Sequence, residues 1–158
     1  MRPGEACSRN EEASADPANG AKFLADLRQA HSEQIEALKA LPLYAQATTP
    51  NLIQYNTTRF RVRRANLARR ALMQRICEYL NSRVSPSERI ALQEVMRRDA
   101  EMLQDSSKHV AHWKSERFAE EWEDYRVAAQ QFRFRILKVL EDQRRTLYPM
   151  LERIEGGG

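Results

Sequence analysis

The chain has 158 residues, 42% hydrophobic and 30% charged, and its 26 lysines and arginines against 22 acids give a net charge of +4. Those proportions suit one folded domain and exclude a chain too polar to bury a core. The five glycines stand at positions 4, 20 and 156–158, so nothing from Ala21 to Glu155 supplies the glycine turns of β-hairpins or phosphate-binding loops, and an all-α fold is expected.

Residues 1–20 hold no apolar stretch of the signal-peptide kind and read as a disordered tail ahead of a single domain at 21–155. No run approaches the roughly 20 apolar residues of a membrane span. Cys7 and Cys77 form neither a disulfide framework nor a paired metal motif, so a reducing, cytoplasmic setting is expected. The first helix is predicted over about 21–41, where Phe23, Leu27, Ala30, Gln34, Leu38 and Leu41 recur in steps of three and four. Pro42 and Pro50 then bracket a loop. Thr49 is the expected cap of a second helix, with Pro50 in its first turn, although Asn56, Thr57 and Thr58 are able to delay its start. Its inner face is read as Ala65, Ala68, Leu72, Ile76 and Tyr79, loosening at Asn81 and Ser82.

Ser85-Pro86-Ser87-Glu88 has the form of a capping box with proline at the first helical position, the strongest start signal in the chain. Leu92, Val95, Met96, Asp99, Met102 and Leu103 share one arc of that third helix, which Ser106, Val110 and Trp113 continue. A fourth helix follows from the seam Phe118, Trp122, Tyr125, Ala129, Phe132, Ile136, Leu140, Gln143, Leu147 and Leu151. One helix over 86–154 would be about 100 Å long at 1.5 Å per residue, so a turn is expected near 112–118. The architecture predicted is an antiparallel up-down-up-down four-helix bundle.

Candidate site residues fall in four groups. His31 lies within the arc of Leu27 and Leu38 and points inward, as a metal ligand or, the preferred reading, as a core imidazole held by a hydrogen bond. Asp105, His109, His112 and Glu116 are spaced four, three and four, a strip that would suit a divalent metal but that lies well around the helix from the apolar arc and is expected to face the rim or water. In the acid-free run RFRVRRANLARR, Arg59, Arg63 and Arg70 fall opposite the inferred inner face, and the acids at Glu116, Glu120, Glu121, Glu123 and Asp124 are available to offset them. Limited aromatic interleaving, Phe60 alone, argues against nucleic acid. Phe134, with Val127 on its side, lies opposite the seam and is open to a partner or a second copy of the chain. Cys77 has no glycine elbow and no histidine near it in sequence, so nucleophilic catalysis has no support.

The end of the fourth helix, ILKVLEDQRRTLYPML, resembles the closing helix of hemerythrin-like (HHE cation-binding) domains, which end in His-x-x-x-Glu, a few charged residues and Leu-Tyr-Pro or Leu-Phe-Pro. LRQAHSEQIEALKAL resembles their opening helix with its single inward histidine, and DSSKHVAHW with EEWEDY is similar to the third helix and its connection. The resemblance spans most of 21–154 and implies a cation-binding bundle, but the family's closing-helix ligands fall on Val139 and Gln143, no histidine stands between His31 and His109, and the chain has three histidines where a di-iron centre takes five. With His31, Val139 and Gln143 left as the remnant of a centre, the resemblance implies a bundle that has lost its metal, and Gln143 and His31 are expected to hydrogen-bond to each other. The function expected is that of a non-catalytic regulatory or protein-binding module without a cofactor, whose partner is another protein, an acidic one at the arginines, or a second copy in a homodimer; no membrane is involved. The alternative is an iron- or zinc-binding sensor or redox protein using His31 with His109 or His112.

Overall fold

A computed structural model of the chain describes residues 18–45 and 51–155. The described residues form five α-helices and no strand: α1 (Ala18–Ala45), α2 (Leu52–Asn81), α3 (Pro86–His112), α4 (Ser115–Glu120) and α5 (Trp122–Glu155). The fold is all-α. The expected tail at 1–20 and the expected cap Thr49 with Pro50 lie outside the described residues, apart from 18–20, which open α1.

Local chemistry accounts for the helix ends. Asn51 caps α2, its Oδ1 accepting from the Gln54 amide at 3.2 Å. Thr57 and Thr58 do not delay that helix, because each hydroxyl donates to the carbonyl four residues back, Ile53 and Gln54, at 2.8 and 2.9 Å. The capping box at Ser85 is complete: its Oγ accepts from the Glu88 amide at 3.2 Å, and the Ser85 amide donates to Glu88 Oε1 at 3.0 Å. Two ends differ from expectation. Pro42 sits inside α1, which continues to Ala45, so the helix passes the proline within its last turn. The inferred last helix is divided at Glu121 into α4 and α5, with Phe118, Trp122 and Tyr125 all buried across the division.

Helix α1 packs on α2 and α5, α3 packs on α5 and α2, and α4 lies against α5. The buried apolar residues form three groups. One joins Leu24, Leu27, Met73, Ile76, Leu80, Val84, Leu92, Val95, Leu147, Met150 and Leu151. A second joins Leu38, Met102, Ile136 and Leu140, with Val62, Phe132 and Val139 packed against it. The third is aromatic: Tyr55, Trp113, Phe118, Trp122 and Tyr125. Within it the Tyr55 and Tyr125 hydroxyls meet at 2.5 Å, and burial raises both phenol pKa values, so both stay protonated and one donates to the other.

The inner face of α2 is not the one inferred from apolar residues alone. Its buried residues are Tyr55, Thr58, Arg69, Met73, Ile76 and Leu80, whereas Ala68 is exposed and Ala65 and Leu72 are only half-buried. The helix is rotated because Arg69 occupies an inner position that a hydrophobicity criterion assigns to solvent.

Candidate functional site

Between the first two apolar groups lies a layer of polar side chains. Along α1 it falls between Leu27 and Leu38, along α2 between Val62 and Met73, along α3 between Val95 and Met102, and along α5 between Leu140 and Leu147. Its members are His31, Gln34, Arg69, Asp99 and Gln143, all buried, and among them Arg69 and Asp99 are only 1% and 2% exposed.

The centre of the layer is an ion pair. Arg69 Nη1 stands 2.8 Å from Asp99 Oδ1 and also donates to Gln143 Oε1 at 3.1 Å. Arg69 Nε donates to Gln34 Oε1 at 2.7 Å, and Nη2 to Asn66 Oδ1 at 2.8 Å. Asp99 is held from both sides, because Arg70 Nε donates to its Oδ2 at 3.0 Å and Gln143 Nε2 to its Oδ1 at 3.3 Å. Gln34 Nε2 closes the ring by donating to Asn66 Oδ1 at 3.3 Å. Burial lowers the Arg69 pKa and the Asp99 carboxylate opposes that, so the guanidinium keeps its charge. Among the described residues no buried side-chain nitrogen or oxygen lacks a partner. A network of this kind is stable only in that fully satisfied form.

The network also fixes the tautomer of His31. Gln143 must turn its oxygen toward Arg69 and its amide nitrogen toward Asp99, since the reverse would oppose donor to donor and acceptor to acceptor. His31 Nε2, 3.0 Å from that Gln143 oxygen, is therefore the protonated nitrogen and donates. Its Nδ1 then accepts from the Tyr148 hydroxyl at 2.6 Å. Burial depresses the His31 pKa, with Arg69 adding to the depression and the Gln143 bond opposing it, so the ring is neutral at pH 7.

The residues singled out by spacing are distributed as follows. His31 and Gln143 meet directly, whereas Val139 packs half-buried against the second apolar group, outside the polar layer. His109 does not face water: it is half-buried, stacked on Phe132 at 4.7 Å between centroids, and burial together with Arg59 pushes its pKa down to about 4. His112 is exposed and edge-on to Trp113, Asp105 is ion-paired with Arg135 of α5, and Glu116 belongs to α4 and is exposed. Among the described residues no three His, Cys, Asp or Glu side chains are grouped so as to hold a metal ion. Both His31 nitrogens are already engaged, so a metal there would have to displace Gln143 or Tyr148.

The basic face expected at Arg59, Arg63 and Arg70 needs correction, because the rotation of α2 turns two of the three into the fold. Arg59 donates to the Trp113 carbonyl at 3.0 Å and lies over the Phe118 ring at 5.0 Å, and Arg70 binds Asp99; Arg63 alone is exposed. The acids expected to offset these arginines pair locally instead, Glu121 with Arg117 and Glu123 with Arg126. Phe134 is exposed, with the Arg133 guanidinium 5.5 Å from its ring centre, and Val127 is exposed as well. Cys77 is half-buried against the first apolar group, and burial raises its thiol pKa to about 12, which removes the thiolate a nucleophile requires.

Arg69 and Asn66 are the members that spacing failed to single out. The signal exists: Tyr55, Thr58, Val62, Asn66, Arg69, Met73, Ile76 and Leu80 follow steps of three and four, so Arg69 interrupts a helical stripe at the level where α1, α3 and α5 carry His31, Asp99 and Gln143. No helix of the described residues is long and apolar enough to cross a membrane. No family model, curated protein or solved structure matches this chain.

Proposed function

We propose that the chain is a non-catalytic regulatory or protein-binding module, built on a ligand-poor hemerythrin-like bundle in which the Arg69–Asp99 network takes the place of a metal centre. The pattern of shared clusters supports the bundle. The first apolar group draws on the early part of α1 and α3 and the late part of α2 and α5, and the second draws on later α1 and α3 with earlier α2 and α5. That is the pattern of α1 and α3 running opposite to α2 and α5, with α4 as a link. One polar residue from each of the four long helices at one level is how bundles build cofactor sites. Here His31, Arg69, Asp99 and Gln143 are satisfied by one another and by Gln34, Asn66, Arg70 and Tyr148, which supports a centre that is structural.

The observation that carries the binding role is the outer face of α2. From Leu52 to Cys77 this helix has no acid and four exposed arginines, Arg61, Arg63, Arg64 and Arg75, and Ile53, Phe60 and Leu67 are 82%, 67% and 50% exposed. With exposed Arg64 they form one stripe in steps of seven, four and three. An apolar stripe interleaved with unopposed cations suits an acidic, amphipathic protein surface. Affinity capture with the wild-type chain and with a Phe60→Asp, Arg64→Glu variant tests this. The expected result is a protein retained by the first and lost by the second, whose direct binding, repeated with purified components, weakens by tenfold or more. Equal retention of every captured protein by both chains would refute the assignment.

A further inference from the structure

A cavity of about 390 Å³ lies beside the polar layer, enclosed by α1, α2, α3 and α5. That volume falls in the range of about 300–1,000 Å³ typical of small-molecule sites. Its apolar wall comes from all four helices: Leu38, Val62, Met102, Phe132 and Ile136. Leu67 and Val110 line it as well and are exposed, so it opens to the surface between α2 and α3. The exposure of Val110, which the apolar arc of α3 places inside, follows from this opening.

The charged groups around the cavity have one sign. Arg59, Arg63, Lys114 and Arg133 contribute to its lining, and no aspartate or glutamate does. Elsewhere the arginines of α3 and α5 are paired with carboxylates, as Arg98 is with Glu94 and Asp142 and Arg145 is with Glu141, except Arg89, which donates to the Asn81 carbonyl. Among the described residues, none of the four cations at the cavity stands in an ion pair. Arg59 donates to the Trp113 carbonyl and lies over the Phe118 and Tyr125 rings, and Arg133 lies over the exposed Phe134 ring with no hydrogen-bond partner among the described residues, which leaves the donors of Arg63, Lys114 and Arg133 to meet an anion. An apolar interior with an unopposed cationic rim is complementary to an apolar tail carrying one negative head.

We infer that this cavity binds a single-chain amphiphile with an anionic head, a fatty-acid carboxylate, its tail between Leu38, Val62, Met102, Phe132 and Ile136 and its head at Arg63 and Arg133. An acidic helical peptide is a poorer fit, since the apolar wall is recessed among four helices while a helix needs a long open groove.

The probe is dodecanoate below its micellar concentration, titrated into the full chain and followed by tryptophan fluorescence and calorimetry. Trp113 packs on Tyr125 at 5.3 Å, and Tyr125 lines the cavity, so occupancy is expected to change the emission. Saturable binding of one dodecanoate per chain is expected, with dodecanol and dodecyltrimethylammonium at least tenfold weaker. The Arg63→Glu, Arg133→Glu variant is expected to keep its helical circular dichroism and lose dodecanoate binding by tenfold or more. A Val62→Trp variant, which fills the apolar wall without changing a charge, should lose it too. Equal binding of the three probes, no saturable binding, unchanged affinity in a folded Arg63→Glu, Arg133→Glu variant, or displacement only by an acidic peptide would each overturn the inference. None of these substitutions touches Phe60 or Arg64, so the outcome is separable from that of the docking stripe on α2.

Discussion

Cutting the central ion pair from one side and then from the other should have unequal costs. Removing one partner of a buried pair typically destabilises by about 3–5 kcal/mol, because the survivor is left charged and desolvated. After Arg69→Met, Asp99 still holds Arg70 at 3.0 Å through a guanidinium that is 27% exposed, and it still accepts from Gln143. After Asp99→Leu, Arg69 keeps only the neutral acceptors Gln34, Gln143 and Asn66 around a buried cation. Arg69→Met should therefore fall at the lower end, about 3 kcal/mol, and Asp99→Leu at the upper end, about 5 kcal/mol. For a domain of this size each kcal/mol shifts the melting midpoint by roughly 2–4 °C, so the two variants should lose about 6–12 °C and 10–20 °C. The double variant removes both charges and should recover more than about 2 kcal/mol against additivity. It should remain below wild type, because Gln34 and Gln143 then lose partners at about 1–3 kcal/mol for each group left unsatisfied. Urea unfolding with unchanged m-values reads these differences. Single variants within about 0.5 kcal/mol of wild type, the range of an unremarkable surface substitution, or Arg69→Met costing more than Asp99→Leu, would refute the reasoning.

Further expectations follow from the same geometry. His31→Leu combined with Gln143→Leu should show a double-mutant coupling of about 1 kcal/mol, and strictly additive effects would contradict the His31–Gln143 bond. His31 and His109 have pKa values below the ordinary 6.5 in the folded chain, so the unfolded chain takes up protons first and stability is full above about pH 6.5. It should fall as the pH drops from there toward 4, and His109→Phe and His31→Gln should each flatten that slope; equal slopes in all three chains would sink the assignment. Arg59→Ala should lower the melting midpoint by releasing the Trp113 carbonyl and the aromatic group, whereas Arg61→Ala, at an exposed position, should leave it within about 0.5 kcal/mol of wild type. Equal midpoints for the two would show that Arg59 does not tie α2 to the end of α3.

Much of the fold can be read from residues whose chemistry is local. The capping box at Ser85 and the seam of α5 depend on neighbours three or four positions apart, and both reappear in the structure. The start of α2 is less legible: the pattern offers Thr49 as the cap with Pro50 in the first turn, whereas Asn51 caps the helix through its bond to the Gln54 amide. The break at Glu121 left no trace because Phe118, Trp122 and Tyr125 keep helical spacing across it and share one aromatic group. The largest miss, the rotation of α2, has the same cause as the candidate site itself. A buried arginine is invisible to any criterion that equates inner with apolar, so such a criterion assigns Ala65 and Ala68 to the core and Arg59 and Arg70 to the surface. Asp99 and Gln143 were placed correctly because apolar residues flank them at helical steps, whereas the flanks of Arg69 are spread over Val62 and Met73 with Asn66 between.

The claim that side chains alone close the centre of this fold is tested most directly by metal content. The chain should be produced in medium supplemented with iron and zinc, purified without chelator, and its metals counted by plasma mass spectrometry beside its unfolding curve with and without EDTA. The network of His31, Arg69, Asp99 and Gln143 predicts no stoichiometric metal and superimposable unfolding curves. One or more iron or zinc ions per chain, removed by EDTA together with a loss of stability, would contradict it.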